Sequence, residues 1–461
     1  MECKKIIFSL GLLFSFLIVN AQLYTYPEGL RTGIPHNDDF TVRVRTKGGE
    51  WKETFEYKVQ VDMDKVQDAS MVQFDMDEPV EVMIKKNNGM IHSVDIRPKS
   101  KGIEYKLIEN CILFTLDKPQ YLSVEFNGDR LHNLHLFANS VLKEVYTQSG
   151  KGIMYFGPGT HKPADLPNNQ IRIPSNTTVY LAPGSVIEAK LLVDHAENVR
   201  IIGRGIIYHS IRGIEITDSK NVYIDGITVL NPDHYSIFGG GSENITVKNF
   251  KSFSCKGWSD GIDVMSCQQL NIENIFMRNS DDCLALYNHR WNWWGGTNHV
   301  NVRKAVLWAD VAHPINIGNP EAEVGEDIEN LTFRDIDILE QDEDDYPYQG
   351  CMAVVCGDKN MARNILFEDI RIESIQEGMI FNIRVHFNPK YDKAPGRGID
   401  GITFRNITYQ GIGENKSVIF GYDNDRKVRN VTFDNIVING EKIENTQDFL
   451  INEFVENVTI K

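Results

Sequence analysis

Three carboxylates stand out by type and spacing in the stretch GWSDGIDVMSCQQLNIENIFMRNSDDCLALYNHR: Asp260, Asp281 and Asp282. Asp260 precedes Asp281 by 21 residues and Asp282 by 22. If one turn of a repeating structure takes about that many residues, the three stack on neighbouring turns at one angular position. Unpaired carboxylates held so close repel and raise one another's pKa, from which a fold gains no stability. Such a group either surrounds a cation or performs acid/base work, with one carboxyl protonated as the acid and another ionised as the base. The plainer alternative is a turn at Asp260-Gly261 and a solvated corner at Asp281-Asp282. Asp263, in the same DGID phrase, reads as a structural residue at a strand edge.

A repeat of the required length runs through the chain from about Tyr155. Its phrase is a polar residue or Asn, an aliphatic, one residue, an aliphatic or aromatic, two polar residues and Ile, as in ENVRIIGRG, KNVYIDGI, ENITVKNF, QQLNIENI, ENLTFRDI and RNVTFDNI. The aliphatic second positions are Val199, Val222, Ile245, Leu270, Val300, Leu331, Ile365, Ile402, Val431 and Val458, at intervals of 23, 23, 25, 30, 31, 34, 37, 29 and 27 residues. Such a period marks a solenoid, and one short strand per phrase marks a parallel β-helix. Its aliphatics would stack inward in ladders about 4.8 Å apart while alternate residues face outward. The Asn heading each phrase would sit at the bend between sheets, its amide meeting backbone groups that the turn leaves open. Seven Asn-x-Ser/Thr tripeptides look like glycosylation acceptors, but most fall on this repeat, whose geometry accounts for them.

Between Leu270 and Ile402 the intervals grow to 30 to 37 residues, so extra chain must leave the coil as loops. Insertions over consecutive turns on one side build the walls of a groove. One insertion, YNHRWNWWGGTN, carries Tyr287, Trp291, Trp293 and Trp294; another, EQDEDDYPYQG, carries Tyr346 and Tyr348. Rigid aromatic faces on loops match the C–H faces of sugar rings, although the same side chains could fold back as a cap on the coil.

The rest of the chain bounds the setting. Residues 22 to 139 read as short alternating strands, FTVRVRT, YKVQVDM, MVQFDM, VEVMIKK and YLSVEFNG among them, separated by turn clusters. That pattern predicts an antiparallel sandwich with one face of each strand buried, an accessory unit with no convergent polar constellation. Residues 1–21 read as a signal peptide: Lys4 and Lys5, the apolar run Ile6 to Val19, then the small-residue site ending at Ala21. The predicted divisions are 1–21, a sandwich over 22–148 and a coil over 149–461. Acidic residues outnumber basic ones by 64 to 48, a net charge of -16, so neither nucleic acid nor an anionic membrane is a natural partner. Six cysteines follow the signal, and Cys255, Cys267 and Cys283 read as small buried residues stacked in a core. No C-x-x-C or H-E-x-x-H spacing occurs, so neither a transition metal nor a cofactor is expected.

SDGID followed by NSDDCLAL resembles the two central motifs of the polygalacturonase-type glycoside hydrolases, family 28, and of their dextranase-type relatives, family 49. Upstream, YFGPGTHK, NQIRIPSNTTVYLAPGSVIEA and IIGRGII are similar to the first coils of these enzymes, so the resemblance runs from about residue 153 to 440. It implies an all-β, right-handed parallel β-helix, a pectin-lyase-like solenoid, that hydrolyses glycosidic bonds of a polysaccharide with inversion after export. Asp281 matches the general acid, and Asp260 and Asp282 match the pair that activates water. Ala312-His313-Pro314 stands where polygalacturonases carry Gly-His-Gly. Arg384-Val385-His386 stands where they carry an Arg-Ile-Lys that binds a uronate carboxylate. His313 and Arg384 are therefore candidate sugar contacts, with Tyr287, Trp291, Trp293, Trp294 and His234, while the lost Lys removes one cation a uronate would need. The preceding sandwich, Tyr287 and Trp308 are closer to the dextranase type. A calcium-dependent polysaccharide lyase, for which Arg278 is the sole cation between Asp260 and Asp282, and a non-catalytic glycan-binding coil remain as rival readings.

Overall fold

The computed structural model describes residues 23–26, 33–162, 167–318 and 325–461; the expected signal peptide lies outside them. Aliphatics that recur every 23 to 37 residues can leave water only by stacking on their own neighbours. All ten do so in register: Val199 lies opposite Val222, Val222 opposite Ile245, and so on through Leu270, Val300, Leu331, Ile365, Ile402 and Val431 to Val458. The coil core is continuous from Ile171 to Phe449. Two residues further along each late phrase, Phe333, Phe367, Phe404 and Phe433 stack with ring centroids 4.9, 5.0 and 5.2 Å apart, the spacing that parallel strands impose.

The recurring Asn has a different reason from the one expected. Asn198, Asn221, Asn244, Asn330, Asn364, Asn430 and Asn457 adopt φ between 53° and 60°, the left-handed region that Asn tolerates best after Gly. Their amides bond one another rather than open backbone: Asn221 Nδ2 donates to Asn198 Oδ1 at 3.0 Å and Asn244 Nδ2 to Asn221 Oδ1 at 2.7 Å. The ladder thus turns the chain and joins the coils.

Two parallel sheets make up most of the coil, one of 18 strands and one of 11. The smaller one matters for chemistry. Its successive strands Ile237–Gly240, Ile262–Met265, Leu284–Tyr287, Ile315–Gly318, Met352–Cys356 and Phe381–Val385 pair in that order.

The amino-terminal strands form a six-stranded and a five-stranded sheet around a core that includes Val42, Val82, Phe74, Leu122 and Leu136. Pairing within them is antiparallel except that Gln67–Met76 runs parallel to Asp129–Ser140, with Val72 opposite Leu136. The six-stranded sheet is buried on both faces: every residue of Gln120–Phe126 is buried. Its second face packs on the coil, where Tyr121, Phe137, Phe253, Phe276 and Trp308 form a shared cluster. Arg204 of the coil donates to Asp75 at 2.9 Å, and Arg278 donates to Asn133 Oδ1 at 2.9 Å. The expectation of one buried face per strand fails here because this sheet is the middle of three layers.

All six described cysteines are free thiols. Cys267 and Cys283 sit in the coil core as expected, whereas Cys255 lies outside the aliphatic stack and is only half-buried. Among the described residues no helix is long and apolar enough to cross a membrane.

Candidate active site

Strand register, rather than sequence distance alone, brings the carboxylates together. Ile262 pairs with Leu284 and Leu284 with Ile315, so Asp260, Asp282 and His313 occupy one position, two residues earlier, on three successive coils. The Gly261 N–H donates to the Asp282 carbonyl at 2.8 Å and locks that alignment. One oxygen from each of Asp260, Asp281 and Asp282 lies within 4.8 Å of the other two. These nearest-oxygen distances are shorter than the carboxyl separation of about 6.5–9.5 Å usual for inverting pairs, because Asp281 and Asp282 are chain neighbours and Asp260 lies one coil rise of about 4.8 Å away.

The three environments differ. Asp282 is buried and collects the most donors: the His313 N–H at 3.1 Å, His313 Nδ1 at 2.6 Å, Asn316 Nδ2 at 2.6 Å and the Tyr287 hydroxyl at 3.4 Å. These fix its plane and suit a carboxylate that takes a proton from water. Burial lowers the pKa of His313, but the charge and hydrogen bond of Asp282 outweigh it and raise the imidazole above its ordinary value. Asp281 is more open. Burial and the Asp282 charge push it up to about 6, against backbone N–H donors from Trp258 at 2.7 Å and Asp282 at 3.0 Å. Trp258 presents that donor from a left-handed conformation, φ 59°, a strained geometry for a bulky residue. Asp260 is pushed well above the carboxylate range by burial and by Asp263, which is itself fully buried with no donor on either oxygen. Asp263 is therefore more than a strand-edge residue: burial raises its carboxyl as it raises that of Asp260, and its own charge adds to the rise of Asp260.

The residues around this cluster line a cavity of about 280 Å³. Of the expected sugar contacts, His313 and Tyr287 line it; Trp291, Trp293, Trp294, His234 and Arg384 do not. Trp293 folds back instead, packing on Phe238 at 5.1 Å and donating its indole N–H to Asp218 at 3.3 Å. Trp291 faces Phe238 and the Arg212 guanidinium, and Trp294 lies against the His289 ring. His234 packs against Tyr235, and burial followed by Arg212 and Arg290 pulls its pKa down to about 4. Arg384 sits in the row of Tyr287 three coils further on, half-buried over the Phe420 ring at 5.5 Å.

Tyr348, singled out as an aromatic of the second insertion, also lines the cavity, and sequence reasoning missed Tyr235, Trp258, Arg290, Asn316, Glu343, Asp345, Lys390 and Tyr391 there. Tyr235 and Asn316 had a signal, since both fall in rows with Asp260 and Asp263 once the strands are aligned. The two cations Arg290 and Lys390 come from loops and supply positive charge that the motif comparison counted as lost. Arg278 is not among them: it is fully buried against the sandwich and paired with Asp310 at 2.9 Å. The three clustered carboxylates are also the residues that could hold a divalent cation. A second such group, Asp194, His195 and Asp218, is already engaged by Arg172, Thr217 and Trp293.

Comparison with known proteins agrees with this geometry. A probable endopolygalacturonase D from Neosartorya fischeri is 21% identical over 257 residues, which cover 54% of this chain and 48% of that protein. One from Aspergillus flavus is 21% identical over 194 residues, 41% of this chain and 35% of that protein. The chain thus spans half or less of the curated relatives it matches. Among solved structures, Dex49A from Penicillium minioluteum superposes with a TM-score of 0.61 at 15% identity, covering 93% of this chain and 95% of that one. A family 28 exopolygalacturonase from Yersinia enterocolitica gives 0.52 at 13% identity, covering 83% and 96%. These likenesses show the fold to be a right-handed parallel β-helix behind an amino-terminal sandwich. The model of the glycosyl hydrolases family 28 matches residues 191–453, more than half of the sequence, and the chain belongs to that family.

Proposed function

We propose that the protein is an exported inverting glycoside hydrolase that cleaves a uronate-bearing polysaccharide, polygalacturonate first among candidates. The observation that carries this reading is one cavity holding a carboxyl raised to about 6, Asp281, beside a carboxylate held by four donors, Asp282. Asp281 gives its proton to the glycosidic oxygen as the C–O bond breaks. Water adds to the anomeric carbon and loses its proton to Asp282, with Asp260 helping to hold that water. His313 and Asn316 keep Asp282 in place. Arg290 and Lys390 favour an anionic sugar, in line with the endopolygalacturonase names of the sequence relatives. Export rests on the basic, apolar and small-residue order of residues 1–21.

A neutral glucan is the second reading, favoured by His386 standing in the Arg-x-Lys position and turned to Asp392 at 3.2 Å. Incubation with polygalacturonic acid, rhamnogalacturonan and dextran tests both. The anomeric proton signal of the first product is expected to show inverted configuration. Retention would overturn the roles given to Asp260 and Asp282, and a chelator-sensitive product absorbing in the ultraviolet would replace hydrolysis by lyase chemistry.

A further inference from the structure

We propose that the enzyme attacks its polysaccharide from a chain end, releasing one or two sugar units at a time, because two loops wall off the floor on either side of the carboxylates. The inference rests on the hydrolytic reading of the same site and specifies which part of a substrate reaches it.

On the amino-terminal side the wall is the segment after Tyr287. Its hairpin is closed by paired backbone bonds between Arg290 and Trp293 at 3.3 and 3.2 Å. Glu326 ties down its base, accepting from the His289 N–H at 2.9 Å and the Gly295 N–H at 2.7 Å. The loop then lies back over the coil that precedes Asp260. Trp293 covers Gly240 and Gly241 so closely that a Cβ on either would fall 2.6 or 2.7 Å from its ring. Trp291 and Trp293 both face Phe238, which is fully buried, and the Arg212 guanidinium is stacked over Phe238 at 4.6 Å. The sheet face therefore disappears one coil before Asp260, and two glycines without side chains make room for the ring that covers it.

On the other side the wall is the loop that leaves the coil after Gln341. Asn382 Nδ2 binds its backbone at Pro347 O, 3.1 Å, and Gln349 O, 2.6 Å, while Asn415 Nδ2 holds Gln349 Oε1 at 2.8 Å. Tyr348 accepts from Asn388 and meets Tyr391 edge-on at 6.2 Å, so a second loop braces the first. Gly350, Ala353 and Asn382 are buried beneath. The floor left open is the row Asp260, Asp282 and His313, two coil steps or about 10 Å long. A cavity of about 280 Å³ falls just below the range of about 300–1,000 Å³ that encloses a small-molecule ligand. It accepts a chain terminus, whereas the interior of a polymer would have to pass through both walls.

Two readouts on the full chain test this. With the polymer that is cleaved among polygalacturonic acid, rhamnogalacturonan and dextran, mono- or disaccharide is expected from the earliest time points, with little viscosity loss per bond broken. An early ladder of oligosaccharides with collapsing viscosity overturns the chain-end mode and leaves hydrolysis intact. Binding of fluorescently labelled galacturonan and isomaltose oligomers of one to six units to the Asp281→Asn protein needs no turnover. Affinity that levels off by two or three units supports the walled site even if the hydrolytic reading fails, and affinity still rising tenfold at five or six units overturns it.

Discussion

Asp281→Asn is expected to lower kcat by about 10²- to 10⁴-fold, the usual worth of a positioned general acid, with the protein still folded. The Trp258 N–H binds Oδ2 and the Asp282 N–H binds Oδ1; Asn keeps an oxygen for one of these donors, turns its NH2 to the other, and brings no transferable proton. The pH profile carries the sharper test. The acid works when protonated, and burial with the Asp282 charge sets its pKa at about 6, so parent activity should fall roughly tenfold per pH unit above that value. The residual activity of the variant should lack this alkaline limb. Stability follows the same sign: a carboxyl whose folded pKa is raised above its unfolded value loses its favourable contribution as pH rises through about 6, and costs stability beyond. At pH 8 the variant should therefore melt no lower than the parent. Full turnover in the variant, or a collapse of its melting temperature, would sink the assignment.

How much of this site was legible depended on whether a residue sits on the repeat or on a loop. Asp260, Asp282 and His313 were readable because the strands that carry them are in register, and a period of 22 residues between two carboxylates can be counted. Arg290, Lys390 and Tyr391 were not, since a loop has no period and its path is decided by what it packs on. Trp293 shows the same limit from the other direction. Its type suggested a sugar platform, but Gly240 and Gly241 offer a recess one coil earlier, and the ring fills it. Asp263 was undervalued because alternation alone does not tell which outward face a neighbouring carboxyl shares.

The sandwich repeats this lesson at larger scale. Alternation along MVQFDM, residues 71–76, correctly put Val72 and Phe74 into its core, where Leu134 and Leu136 of Asp129–Ser140 join them. The polar residues between them read as solvent-facing by default, since period 2 distinguishes two faces but not what lies against each. Asp75, Asn133, His135 and Asn139 are instead buried against the coil, where Arg204, Lys251 and Arg278 meet them. A polar face that finds a polar partner has the same sequence signature as one that finds water.

Arg278→Ala is expected to be the most destabilising single change at that junction, by about 3–5 kcal/mol, because it strands a buried partner. Arg278 is fully buried and grips Asp310 with two nitrogens, Nε to Oδ2 at 2.9 Å and Nη2 to Oδ1 at 2.9 Å. Nη1 reaches the sandwich at Arg130 O, 3.0 Å, and Asn133 Oδ1, 2.9 Å, and the guanidinium lies 3.9 Å from the Trp308 ring centroid. Burial already raises the Asp310 pKa, and Arg278 is the largest influence opposing that rise. Without the cation the carboxyl would rise further, so the deficit should be smallest in acid and widen as pH increases through the new pKa. Urea and thermal unfolding at pH 5 and pH 8 measure this. Arg278→Met with Asp310→Leu should recover most of the loss, since replacing both charges by apolar groups of similar shape removes the unpaired carboxylate along with its partner. If the single variant unfolded like the parent at pH 8, the buried pair would not be what fastens the sandwich to the coil.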